Sequence, residues 1–138
     1  MIKQPITYTD YNGMERTEDH YFNLSEVEIM NMNFEHVNLE EKMQAFVKAK
    51  DTASIIRFIT TLIYKAYGIK SDDGKRFMKS DEISTAFMQS EAYTVLFMDL
   101  LQGKIDPIVF IKGILPAKIS EKIPSNVEDI QAQLAANK

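Results

Sequence analysis

Histidines, cysteines, paired carboxylates and glycine-rich turns are where this chain of 138 residues would carry chemistry. It has two histidines and no cysteine. A transition-metal site needs several convergent nitrogen, sulfur or oxygen ligands, often two of them at i and i+4 on a helix. His20 falls in a strand-like segment and His36 in a weak stretch between helices, and neither has such a companion. Both read as surface or partly buried imidazoles. Asp72-Asp73-Gly74 has the look of a calcium loop, but a loop starting at Asp72 puts Gly74 and Arg76 where oxygen ligands belong. Gly13, Gly68, Gly74, Gly103 and Gly113 never reach a phosphate-cradling spacing, and no Gly-x-Ser-x-Gly elbow occurs. The acidic pairs Glu40-Glu41 and Asp81-Glu82 sit in expected first turns of helices, where negative charge complements the helix dipole. These residues predict no catalytic group, no metal site, no cofactor and no enzyme.

Composition narrows the class further. A net charge of −4 argues against nucleic acid as a partner. The densest basic stretch holds Lys65, Lys70, Lys75, Arg76 and Lys79, but Asp72 and Asp73 interrupt it, which suits a solvated turn. Without cysteine there is no disulfide framework, and a reducing compartment fits. The longest apolar runs, Val95–Met98 and Ile108–Ile111, are four residues each, whereas a membrane span needs about twenty. Met1–Pro5 leads into a strand rather than into the apolar core of a signal peptide. The expectation is a cytoplasmic protein that binds neither membrane nor nucleic acid.

The elements that position these residues begin with a hairpin. Residues 6–24 alternate polar and apolar types around Asn12-Gly13, a pair suited to the positive φ angles of a two-residue type I′ turn. That turn would set Tyr11 opposite Met14, Thr9 opposite Arg16 and Thr7 opposite Glu18. Ser25 and Glu28 form a capping box opening a short helix to about Asn33. Asn38 caps a second helix carrying Leu39, Met43, Phe46 and Val47. Asp51 caps a third and longest, ending at Gly68, whose broad apolar side suits a central position. Ser80, Ser90 and Asp106-Pro107 start three more, with Gly103 closing the second of these. The chain therefore reads as mainly α (α+β): an N-terminal β-hairpin (1–24) followed by a bundle of five to six helices (25–116). Together these make one globular domain, with a polar tail over 117–138. Ile59, Leu62, Ile63, Phe87, Leu96 and Leu100 are the expected core.

The stretch from Ala92 to Leu115 is more apolar than a small core obviously requires. At about 100° per residue, Glu91, Thr94, Asp99 and Gln102 leave the first helix only a narrow polar strip, and the second is apolar nearly all round. Such a helix must be buried by something. Either it is the central core helix, or part of it awaits another protein, since sizeable exposed apolar patches mark interaction sites. Phe110 and Ile111 point about 100° apart and are not expected to face one core. Tyr93, Phe97, Leu101, Ile108, Phe110, Ile111 and Leu115 are the candidate partner-binding residues, contacting an amphipathic helix or a second copy of the chain. Met78, Met88 and Met98 lean the same way, because methionine adapts to varied partners.

Two stretches, ITYTDYNGMERTEDHYFNLSEVEIMNM (6–32) and IYKAYGIKSDDGKRFMKSDEISTAFMQSEAYTVLFMDLL (63–101), resemble the tail assembly chaperones of long-tailed phages and prophages of Gram-positive bacteria. The matching motifs fall at 7–13, 22–24, 65–68, 71–77 and 90–93, in the family's order, and the likeness covers roughly the first 115 residues. The resemblance implies a non-enzymatic chaperone. It would bind the tape measure protein, an extended helical polypeptide, and keep it soluble while tail tube subunits polymerise around it. The tail tube protein is a second candidate partner. The resemblance also implies action in the host cytoplasm, absence from the finished virion and, in many members, a longer frameshifted form. The alternative is a structural virion component, a small tail or head–tail connector protein whose hairpin edge pairs between subunits.

Overall fold

A computed structural model describes residues 1–35, 45, 48–49 and 51–116. Of the expected helix capped by Asn38 only 45 and 48–49 are described, and these are helical; His36, Glu40-Glu41 and the 117–138 tail lie outside the described residues.

The hairpin forms from β1 (Ile2–Thr9) and β2 (Glu15–Phe22), but in a different register. Thr7 faces Thr17, Tyr8 faces Arg16 and Thr9 faces Glu15. The loop holds three residues, Tyr11, Asn12 and Gly13, with Gly13 at φ 79°. The Gly13 N–H donates to the Asp10 carbonyl (3.0 Å), and the Asp10 N–H to that of Met14 (2.8 Å). Asp10 decides this geometry. Its carboxylate accepts the N–H groups of Asn12 and Met14 at 2.9 Å each and pairs with Arg16 Nε at 2.6 Å. An aspartate opening a turn that ends in a left-handed glycine favours this longer loop over the two-residue one. One residue of slip moves every side chain to the other face. Ile6, Tyr8, His20 and Phe22 thus turn toward the core, while Lys3, Pro5, Thr7, Thr17 and Asp19 turn away.

Ser25 and Glu28 form the expected reciprocal box, 3.0 and 3.2 Å, opening α1 (Glu26–Glu35). Asp51 caps α2 (Thr52–Ala66), accepting from the Ser54 N–H at 3.1 Å and its hydroxyl at 2.6 Å. The long helix does not end at Gly68. At Tyr67 the backbone turns extended (φ −64°, ψ 139°) and enters β3 (Tyr67–Lys70) without a loop. Gly68 is a strand residue under close approach: a Cβ there would lie 2.6 Å from the Phe77 ring and 2.9 Å from the Met78 carbonyl. Ser71–Arg76 turns the chain, with Gly74 at φ 73°, into β4 (Phe77–Met78).

The helical bundle is therefore corrected to a two-layer α+β arrangement. The hairpin extends into a four-stranded antiparallel sheet in the order β1-β2-β3-β4. Tyr21 pairs with Gly68, Phe22 with Tyr67, and Ile69 with Met78. The helices pack on one face: α3 (Asp81–Met88) on β3 and α2, and α4 (Glu91–Leu101) and α5 (Pro107–Ile114) on β1. Among the described residues there are five helices. All six expected core residues are buried, joined by Ile6, Phe22, Leu24, Ile29, Ile55 and the inner side of α5.

Candidate partner-binding surface

The local chemistry of α4 sets its orientation. Ser80 starts α3 by accepting the Ile83 N–H at 3.1 Å. Ser90 makes no such cap; its hydroxyl donates to the Phe87 carbonyl at 2.6 Å and closes α3 instead. The short α3–α4 corner then directs Ala92, Leu96 and Leu100 into the core. Tyr93, Phe97 and Leu101, at i, i+4 and i+8, form a row along the flank and are half-buried. The rings of Tyr93 and Phe97 lie 5.8 Å apart, and Phe87 meets Tyr93 edge-on at 5.9 Å. Outside this row stands Met98, 41% exposed, with Thr94 beside it. Met98, to which methionine chemistry had already pointed, stands on the outward side.

Helix α5 is different. Phe110, Ile111 and Leu115 are 1%, 2% and 6% exposed, enclosed by the chain itself. Facing different directions does not prevent this, because different neighbours meet each side. Phe110 packs edge-on to Phe22 at 5.3 Å. Gly113 lies against Ile2, and the Ile114 carbonyl accepts the Leu24 N–H at 3.0 Å. Those three side chains are thus core in the isolated chain, and the ground for expecting them at a partner surface is removed. The Ile108 side chain lies outside the described residues. Val109, which the sequence reading did not single out, is 59% exposed.

A concave region of about 560 Å³ lies where α1, α2 and α3 meet. Several of its polar groups bond one another. Lys79 Nζ donates to the Asn23 carbonyl at 2.5 Å and to Glu28 at 2.6 Å. The Tyr64 hydroxyl donates to Asp81 (2.8 Å), and buried Ser84 donates to the Tyr64 carbonyl (2.8 Å). Burial pushes the Glu28 carboxyl up, but the Lys79 and Ser25 bonds outweigh it and hold Glu28 below the usual range. Burial pulls the Lys79 ammonium down against the pull of Glu28. This is a latch between α1 and the end of β4 rather than a reacting constellation. Among the described residues no group of three or more histidines, aspartates and glutamates could hold a metal ion. No described helix is long and apolar enough to cross a membrane.

What the geometry offers is a candidate contact surface, the half-buried Tyr93-Phe97-Leu101 row edged by exposed Met98. No curated protein and no solved structure matches the chain. A family model described as phage tail assembly chaperone matches residues 1–137, a span longer than the likeness visible in the quoted motifs. The chain belongs to the phage tail assembly chaperone family.

Proposed function

We propose that this chaperone binds an amphipathic helix of the tape measure protein and keeps that polypeptide soluble while the tail tube polymerises around it. The observation that carries the reading is the half-buried row Tyr93, Phe97 and Leu101 with exposed Met98 on α4. A helix laid against such a row is recognised by anchors at i, i+3, i+4 and i+7, which tolerates a varied partner sequence. Its affinity rests mainly on apolar area, with methionine adapting to each register. The chaperone acts in the host cytoplasm and leaves before the virion is complete. It performs no catalysis and needs no cofactor. Contact with the tail tube protein and self-association are secondary uses of the same surface.

The test is co-expression with fragments of the cognate tape measure protein. The expected result is soluble tape measure that co-purifies with the chain, and its loss with Phe97→Asp, provided circular dichroism shows the variant folded. Equal tape measure solubility with and without the chain would overturn the reading. A structural virion role is favoured by one observation, the eight-residue edge strand β1. Mass spectrometry of purified virions separates the two: stoichiometric chain in the particle supports the structural role.

A further inference from the structure

His20 sits where three strands and α3 converge. Its ring centroid lies 5.2 Å from that of Phe87 on α3, 6.2 Å from Tyr67 on β3 and 6.5 Å from Tyr8 on β1. Tyr67 in turn stacks on Phe87 at 4.2 Å, nearly parallel. Within this cage the His20 Nε2 atom is buried and, among the described residues, has no hydrogen-bond partner.

We infer that His20 is an acid-sensitive joint: the neutral ring fastens the hairpin, β3 and α3 together, and a second ring proton loosens α3 from the sheet. The neutral imidazole fits because the ring stands among three aromatic rings and its buried Nε2 has no hydrogen-bond partner among the described residues. An imidazolium carries two N–H donors, and one would then be buried without an acceptor. The charged and titratable groups around the ring are few. Glu18 and Asp19 on β2 favour the cation, as do the π faces of the cage. Glu18 is already engaged, since it accepts a hydrogen bond from the Tyr8 hydroxyl and pairs with Arg16. Tyr67 is neutral at these pH values, with burial pushing its hydroxyl further up, and Phe87 brings no charge. Burial prevails and holds the imidazole below its ordinary range.

The sign follows from linkage. The unfolded chain takes up the proton near pH 6.5 and the folded chain only at lower pH, so stability is complete above about 6.5 and declines below it. Each pH unit between the two values lowers the folding constant about tenfold through this site.

The test uses the full chain. Histidine NMR titration is expected to place His20 below 6.5, with the ring signals of Tyr67 and Phe87 shifting alongside it. A value at or above 6.5 would overturn the inference. Urea denaturation at pH 7.5 and 5.5 is expected to show up to about a tenfold fall in folding constant in the wild type. That fall should persist in His36→Gln and vanish in His20→Phe. An unchanged acid loss in folded His20→Phe would equally overturn it, and the wild-type titration decides the matter if that variant does not fold.

Discussion

Phe110→Ala separates a core helix from a partner-facing one. The Phe110 side chain is 1% exposed and packs edge-on against Phe22, which is itself fully buried. Removing the ring forfeits about 1.5–3 kcal/mol of apolar transfer. Loss of the aromatic pair adds about 0.5–1.5 kcal/mol. The residual cavity contributes as well, so the expected cost is about 3–5 kcal/mol, as for other buried phenylalanines. With a urea m-value of about 2 kcal/mol/M, the unfolding midpoint should fall by about 1.5–2.5 M. Total stability of such a domain is about 5–15 kcal/mol, so the variant should remain measurable, at reduced temperature if necessary. Val109→Ala is the internal control: one residue away on the same helix but 59% exposed, it should stay within about 0.5 kcal/mol of wild type. A Phe110→Ala cost under about 1 kcal/mol, or one equal to that of Val109→Ala, would refute the burial of α5 and restore it as a candidate contact.

Gly68→Ala should lower the melting temperature although alanine suits strands no worse than glycine. The new Cβ would lie 2.9 Å from the backbone carbonyl of Met78, which cannot move without parting β3 from β4. A neutral effect would mean that β4 is not held there. Ser80→Ala should cost about 0.5–2 kcal/mol through the lost cap of α3, read by urea denaturation. Ser90→Ala removes no bond to a helix N–H, so equal losses in that respect, traced by amide exchange in the first turn of α4, would contradict the capping assignment. Asp10 is held below the usual carboxylate range by the Arg16 bond first, then by the Met14 and Asn12 amides. Its contribution is therefore complete above the unfolded pKa and lost as pH falls through the folded one. Melting curves from pH 5 to 2 should show Asp10→Asn flatter than wild type, and parallel curves would argue against the Asp10-centred turn.

Much of this fold was legible residue by residue, wherever one local interaction decides the outcome. Ser25 with Glu28, Asp51, Ser80 and Asp106-Pro107 each mark a helix start that the structure keeps. Asn12-Gly13 marked the hairpin but not its register, because Asp10 claims two amides and lengthens the loop. The second half of the sheet was not legible. Tyr67–Lys70 and Phe77–Met78 are four and two residues long, too short for a period to show, and Gly68 carries the same letter as a helix terminator. The first of them pairs with Tyr21 and Phe22, more than forty positions earlier, and the second pairs only with the first. The surface followed the same division. Spacing revealed the Tyr93-Phe97-Leu101 row, whereas enclosure of α5 depends on Phe22, Leu24 and Ile2, contacts that no local pattern announces.

The proposed contact surface of this tail assembly chaperone lies on α4. Hydrogen–deuterium exchange of the chain, alone and saturated with a soluble tape measure fragment, tests it most directly. The account predicts added protection concentrated in residues 91–102 and the adjoining α3–α4 corner, with the solvent face of β1 and β2 unchanged. Protection confined to β1, or to the α1 side around Val27 and Met30 with α4 unaffected, would contradict it.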